Sequence, residues 1–139
     1  MTTAHAIAAR ARLLPTVLVV EDEVLVRWVI AEYLRDCGYS VIEGASADEG
    51  LRVLQTGRHV DVVFSDIQTP GSNDGFGLAQ WIRRQRPAIR VILTSGIARS
   101  AQAAQKLCNE NHCDNHLVPK PYDHHQVETK IRSLLAQGT

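Results

Sequence analysis

The sequence predicts an α/β domain: a five-stranded parallel sheet with helices on both faces. Three observations lead there. Short apolar runs and amphipathic stretches alternate along the 139 residues, the pattern of β–α units wound into a parallel sheet. The apolar runs are continuous rather than alternating, as strands buried on both faces require. No internal repeat or linker-like low-complexity segment interrupts them.

Val17–Val20 is the first strand. The helix after it carries Val26, Val29, Ile30, Tyr33, Leu34 and Cys37 at the three-and-four spacing of a core-facing stripe, and Gly38 ends it. Tyr39–Gly44 forms the second strand. In "SADEGLRVLQTG", Ser46 and Glu49 make a capping box, with Leu51 and Leu54 turned inward. "DVVFSD", residues 61–66, is the third strand. Pro70–Gly75 is a turn-rich loop. The helix "FGLAQWIRRQRP" follows, with Phe76, Leu78, Ala79 and Ile82 for packing and Arg83, Arg84 and Arg86 at the end where the helix dipole favours cations. "IRVILTSG" is the fourth strand, an Ala/Gln-rich helix comes next, and "HLV" before Pro119 is the fifth. Asp123 with Gln126 caps a last helix packed through Val127, Ile131, Leu134 and Leu135. Residues 1–14 are expected to be an extension and 15–139 the domain.

Composition narrows the function. Fifteen Lys+Arg balance fifteen Asp+Glu, so the basic excess of a dedicated nucleic-acid binder is missing. Cys37, Cys108 and Cys113 are an odd number without CxxC spacing, which argues against a disulfide framework and for a reducing, intracellular setting. No apolar run approaches the ~18 residues of a membrane span. The N-terminal stretch, with Arg10 and Arg12 and no long apolar core, fails as a secretory signal.

Ligands bind such sheets at the carboxyl ends of the strands. That edge should gather Glu21 and Asp22 from strand one, Asp66 from strand three, Thr94 from strand four and Lys120 after strand five. Two carboxylates ~4 Å apart repel by roughly 4 kcal/mol at an effective dielectric near 20. Either one protonates or a cation binds. Oxygen donors without histidine select Mg2+. A magnesium ion beside a free aspartate, a hydroxyl and a lysine is the apparatus of phosphoryl transfer, with Asp66 as candidate nucleophile.

With "VLVVEDE", "SDIQTPGSNDG", "VILTSG" and "PKPYD" in this order, residues 16–136 resemble a response-regulator receiver domain of two-component signalling. The resemblance implies a flavodoxin-like fold with strand order 2-1-3-4-5. It implies that Asp66 accepts a phosphoryl group from a histidine kinase or histidine phosphotransfer protein. Glu21, Asp22, Asp66 and the Gln68 backbone carbonyl would hold Mg2+. Thr94 would be the switch hydroxyl, Lys120 the phosphate-sensing lysine, and Lys120–Pro121 a cis bond. Such a module is cytoplasmic, assists only its own phosphorylation and dephosphorylation, and passes its output to a downstream protein or through a homodimer. Neither nucleic acid nor membrane is a direct partner.

The chain departs from the family at several points. Glu21 replaces the usual aspartate, Thr69 a common methionine, and Leu117 the frequent aromatic three residues before the lysine. The loop "PGSNDG" is one residue longer than usual, and the segment from Thr94 to Lys120 is also extended. Leu25 and Trp28 fall off the core stripe near the acids and suggest a protein-docking face. Cys108, His112, Cys113 and His116 are zinc-ligand types, but their spacing matches no compact finger, so a polar loop with small buried thiols is expected. His124 and His125 should face water. The rival is a haloacid-dehalogenase-like phosphatase, which needs a second aspartate as general acid where this chain has Gln68.

Overall fold

The computed structural model describes residues 14–97, 100–110 and 116–137. Along the chain these form β1 (Thr16–Val20), α1 (Val24–Asp36), β2 (Ser40–Gly44), α2 (Ala47–Gln55), β3 (Val62–Asp66), α3 (Gly75–Gln85), β4 (Arg90–Ser95), α4 (Ala101–Glu110), β5 (His116–Pro119) and α5 (His124–Ala136). The five strands make one parallel sheet in the expected order β2-β1-β3-β4-β5. The extension expected before the domain lies outside the described residues except for Leu14.

Strand pleating divides the core. Leu18, Val20, Val63 and Leu93 point to one face, where Leu54 of α2 and Leu78 and Ile82 of α3 cover them, with Leu107 of α4 at the margin. Val17, Val19, Val62, Phe64 and Ile92 point to the other, against Ile30 and Leu34 of α1 and Val127, Ile131 and Leu134 of α5. Each fully buried Leu, Ile or Val stabilises the fold by about 1.5–3 kcal/mol through removal from water. Polar caps fix where helices begin. Ser46 Oγ accepts from Glu49 N at 3.1 Å and Glu49 Oε1 from Ala45 N at 3.1 Å. Asp74 Oδ1 accepts from Gly77 N at 2.9 Å, and Asp123 Oδ1 from His125 N at 3.0 Å. Gln126 takes no part in that last cap, which the Asp123 carboxylate makes two residues on.

Some packing differs from expectation. In α1 the buried residues are Ile30, Ala31 and Leu34, while Val29 is 40% exposed and Cys37 is exposed at the helix C-cap. A three-and-four pattern fits two adjacent stripes, and the small Ala31 decides which one faces in. His124 faces water only in part, whereas His125 is exposed as expected. Its ring is half-buried, 5.7 Å from Tyr33 and 5.8 Å from Tyr122. Cys108 is buried as expected but disulfide-bonded rather than a free thiol. An odd cysteine count disfavours a framework that uses every cysteine, and a single bond escapes that parity. His112 and Cys113 lie outside the described residues.

The chain leaves β1 for β2 on one side and returns to β3 on the other. The carboxyl ends of β1 and β3 therefore flank the crevice where the strand order reverses.

Candidate functional site

Both β1 and β3 end in acids. β1 runs straight into Glu21, whose N–H continues the ladder to Gly44 O at 3.0 Å. Asp66 closes β3 directly beside Thr94 of β4. Lys120 follows β5, held by its own N–H to Ser95 O at 3.0 Å, and its bond to Pro121 is cis. Strand ends thus carry side chains 99 positions apart into one rim.

Lysine organises that rim. Its Nζ donates to Glu21 Oε1 at 2.6 Å and to Asp66 Oδ2 at 3.1 Å. Glu21 and Asp66 are 3% and 5% exposed, Thr94 2%. Glu21 Oε2 also accepts from Glu23 N at 3.1 Å. Oxygens of Glu21, Asp22 and Asp66 lie within 4.8 Å of one another. Fully ionised, three carboxylates face one ammonium, which leaves an excess of negative charge among the described residues.

The titration tendencies follow from that imbalance. Burial raises the Asp66 carboxyl above the usual range, against the opposing pull of Lys120. Burial raises Glu21 likewise. For Lys120 burial works against the charge, but the hydrogen bonds to Glu21 and Asp66 outweigh it and the ammonium is held well above its ordinary pKa. Tyr122 is pushed up to about 12 by burial and then by the Glu21 charge. A buried acid with too few donors is the signature of a site made for something else.

Two atoms make the point directly. Asp66 Oδ1 and Thr94 Oγ1 are buried and, among the described residues, have no hydrogen-bond partner. Native interiors rarely leave such groups unpaired. An all-oxygen donor set with an orphaned carboxylate oxygen fits a hard divalent cation. The geometry therefore brings together Glu21, Asp22, Asp66, Thr94 and Lys120. Gln68 leaves β3 two residues after Asp66, and its side-chain Oε1 accepts from Ser95 Oγ at 3.0 Å. Where a phosphatase would need a carboxylic acid, an amide is engaged in a structural bond.

Three contributors escaped the sequence reading. Arg27 of α1 donates through Nη1 to the Glu21 backbone carbonyl at 2.8 Å while its Nε meets Glu43 at 3.3 Å, fastening the acidic turn. An arginine four residues after Glu23 was the available signal. Ser95 tethers Gln68 and also accepts from Ile97 N at 3.1 Å. Gly75 approaches the site so closely that a Cβ there would lie 2.6 Å from Asp66 O. Beside the rim opens a groove of about 700 Å³, lined by Leu25, Val26 and Val29 of α1 with Pro121 and Tyr122. Leu25 and Trp28 are 76% and 56% exposed.

Known proteins resemble this chain along most of its length. A sequence family described as the response regulator receiver domain matches residues 17–132. The sensor kinase CckA of Brucella abortus (strain 2308) is 36% identical over 121 residues, 86% of this chain and 12% of that protein. A probable transcriptional regulator, ycf27, of Cyanophora paradoxa is 32% identical over 119 residues, 86% of this chain and 47% of that protein. This chain thus spans about half or less of the length of these relatives. Among solved structures, the response regulator protein TrrA of Thermotoga maritima, in complex with Mg2+ and beryllofluoride, superposes with TM-score 0.72 at 25% identity, covering 87% of this chain and 99% of that one.

Proposed function

We propose a phosphoryl-accepting role from a plain premise: the chain belongs to the response regulator receiver domain family. In this reading Asp66 is the phospho-acceptor. A carboxylate oxygen of Asp66 attacks the phosphorus of a phosphohistidine on a histidine kinase or phosphotransfer protein. The P–N bond breaks as the P–O bond forms, and the imidazole leaves. Glu21, Asp22, Asp66 and the backbone carbonyl of Gln68 would hold Mg2+, which spreads negative charge from the phosphoryl oxygens when bound. Lys120, the one ammonium on the rim among the described residues, neutralises a second oxygen. The Thr94 hydroxyl donates to a third. Gln68 offers no carboxylic acid to protonate a leaving alkoxide, so the module turns over only its own phosphoryl group.

One observation carries this reading. The buried Asp66 Oδ1 and Thr94 Oγ1, neighbours on paired strands, are both without a partner among the described residues. A tetrahedral oxyanion beside a cation would satisfy both. The complex of TrrA with Mg2+ and beryllofluoride supports it by likeness. The exposed Leu25 and Trp28 and the groove along α1 supply an apolar face for the phosphodonor next to Asp66. Output then passes to a downstream protein or a second copy, as the phosphoryl group biases a two-state balance at β4 and its neighbours. The setting is cytoplasmic. Among the described residues no helix is long and apolar enough to cross a membrane.

The test is an amide NMR titration with Mg2+ and beryllofluoride. The wild type should shift around residues 66–68, 94–96 and 120, and Asp66→Asn should not. An equal response in both proteins removes the proposal.

A further inference from the structure

The loop between β3 and α3 runs from Ile67 to Asp74, and its fold has an identifiable organiser. Its two ends both bear on Asp66. Gln68 departs one residue beyond Ile67, and at the return end Gly75 N donates to Ile67 O at 2.8 Å. A Cβ on Gly75 would come within 2.7 Å of Ile67 Cα. The middle of the loop is therefore strung between two anchors, both beside Asp66.

That middle is wrapped around one carboxylate from the first turn of α2. Asp48 Oδ2 accepts from Ser72 N at 2.8 Å. Asp48 Oδ1 accepts from Asn73 N at 3.1 Å and Asn73 Nδ2 at 2.9 Å. Thr69 adds a second tie between the same two segments: its Oγ1 accepts from Ala47 N at 3.1 Å and donates to Asn73 O at 3.2 Å. Gly71 has φ +108°, and a Cβ there would meet Asp48 Oδ2 at 2.3 Å. Side-chain-free backbone is required for the carboxylate to reach in. The Asn73 amide, then the Ser72 N–H, holds the Asp48 carboxyl below its usual range.

We propose that Asp48 is a positioning residue for the cation site: it clamps the extended loop and thereby holds the Gln68 carbonyl where it can serve as a ligand. This rests on the phosphoryl-accepting reading above. Outer groups that orient a ligand govern affinity because an unheld ligand must be ordered at the moment of binding. The clamp is distinct from a charge effect. Charge alone would act through Asp48 whatever the loop does, whereas a clamp fails equally when the loop is pushed off an intact carboxylate.

The test is Mg2+ titration by calorimetry on the whole chain, with each variant first shown to be folded by circular dichroism. Asp48→Ala should weaken Mg2+ binding about tenfold. Asp48→Asn, which keeps an oxygen for the Asn73 donors, should recover part of that loss. Gly71→Ala changes no charge and should weaken binding comparably, and it serves if Asp48→Ala fails to fold. Affinity within about twofold of wild type in Asp48→Ala, or Asp48→Asn as weak as Asp48→Ala with Gly71→Ala unaffected, overturns the clamp while leaving the reading of Asp66 intact. No Mg2+ binding by the wild type overturns both.

Discussion

Two sets of buried carboxylates in this chain share their chemistry and differ in their supply of donors. Glu128 of α5 is 7% exposed and well served. It accepts from the Tyr39 hydroxyl at 2.7 Å and from Arg132, and the arginine is the first reason its carboxyl stays below the ordinary range. Glu21 and Asp66 are as deeply buried but share one ammonium, and burial pushes both upward. A carboxylate with enough donors is a fastener, here joining the start of β2 to α5. Carboxylates short of donors hold negative charge in readiness for a cation. Burial alone does not separate structure from function; charge balance does, since Glu128 has a guanidinium of its own while Glu21 and Asp66 share a single ammonium.

The sharpest way to break this contrast is to remove the shared ammonium. Lys120→Met leaves two buried carboxylates unpaired and should cost about 3 kcal/mol in Mg2+-free urea denaturation, the low end for stranding a buried charge. Saturating Mg2+ should return most of it. A loss that Mg2+ leaves untouched would mean the acids do not bind the ion.

The corresponding change at the fastener should be smaller and deaf to metal. Glu128→Ala strands the Tyr39 hydroxyl and should cost about 2 kcal/mol, equal with and without Mg2+. Magnesium rescue there would erase the distinction between the two sets.

Smallest is the effect of neutralising Asp66, and its sign is opposite. Because the folded-state pKa of Asp66 is raised, its ionisation costs stability. That cost is absent below the ordinary carboxylate range and complete above the raised pKa. Without Mg2+, Asp66→Asn should therefore stabilise the domain at neutral pH, by up to about 1 kcal/mol, and the gain should fade toward acid. Glu128 behaves the other way: its contribution is present above the ordinary carboxylate pKa and lost as pH falls through its depressed one. Thermal melts of wild type and Asp66→Asn across acid to neutral pH check the sign; a gain that grows toward acid contradicts it.

The same contrast explains what could be read from the sequence. Val17–Val20 and Val62–Phe64 are continuous apolar runs, and continuity alone implied strands covered on both faces. Once a parallel sheet followed, its topology carried Glu21, Asp66, Thr94 and Lys120 to one rim without any side-chain detail. Fasteners were illegible for the converse reason. Tyr39 and Glu128 are 89 positions apart, and nothing in either neighbourhood marks them as partners. Asp48 looks like an ordinary first-turn helix acid until the loop is seen folded on it. The inward face of α1 is not legible at Val29, because apolar character alone does not reveal that the small Ala31 turns inward in its place.

The most direct measurement is to locate the phosphoryl group itself. The chain is incubated with acetyl phosphate and Mg2+, digested, and its peptides fragmented by mass spectrometry. One phosphoryl group on Asp66 in the wild type, dependent on Mg2+ and missing from Asp66→Asn, is the predicted result. Labelling at another residue, or equal labelling of wild type and Asp66→Asn, would contradict it.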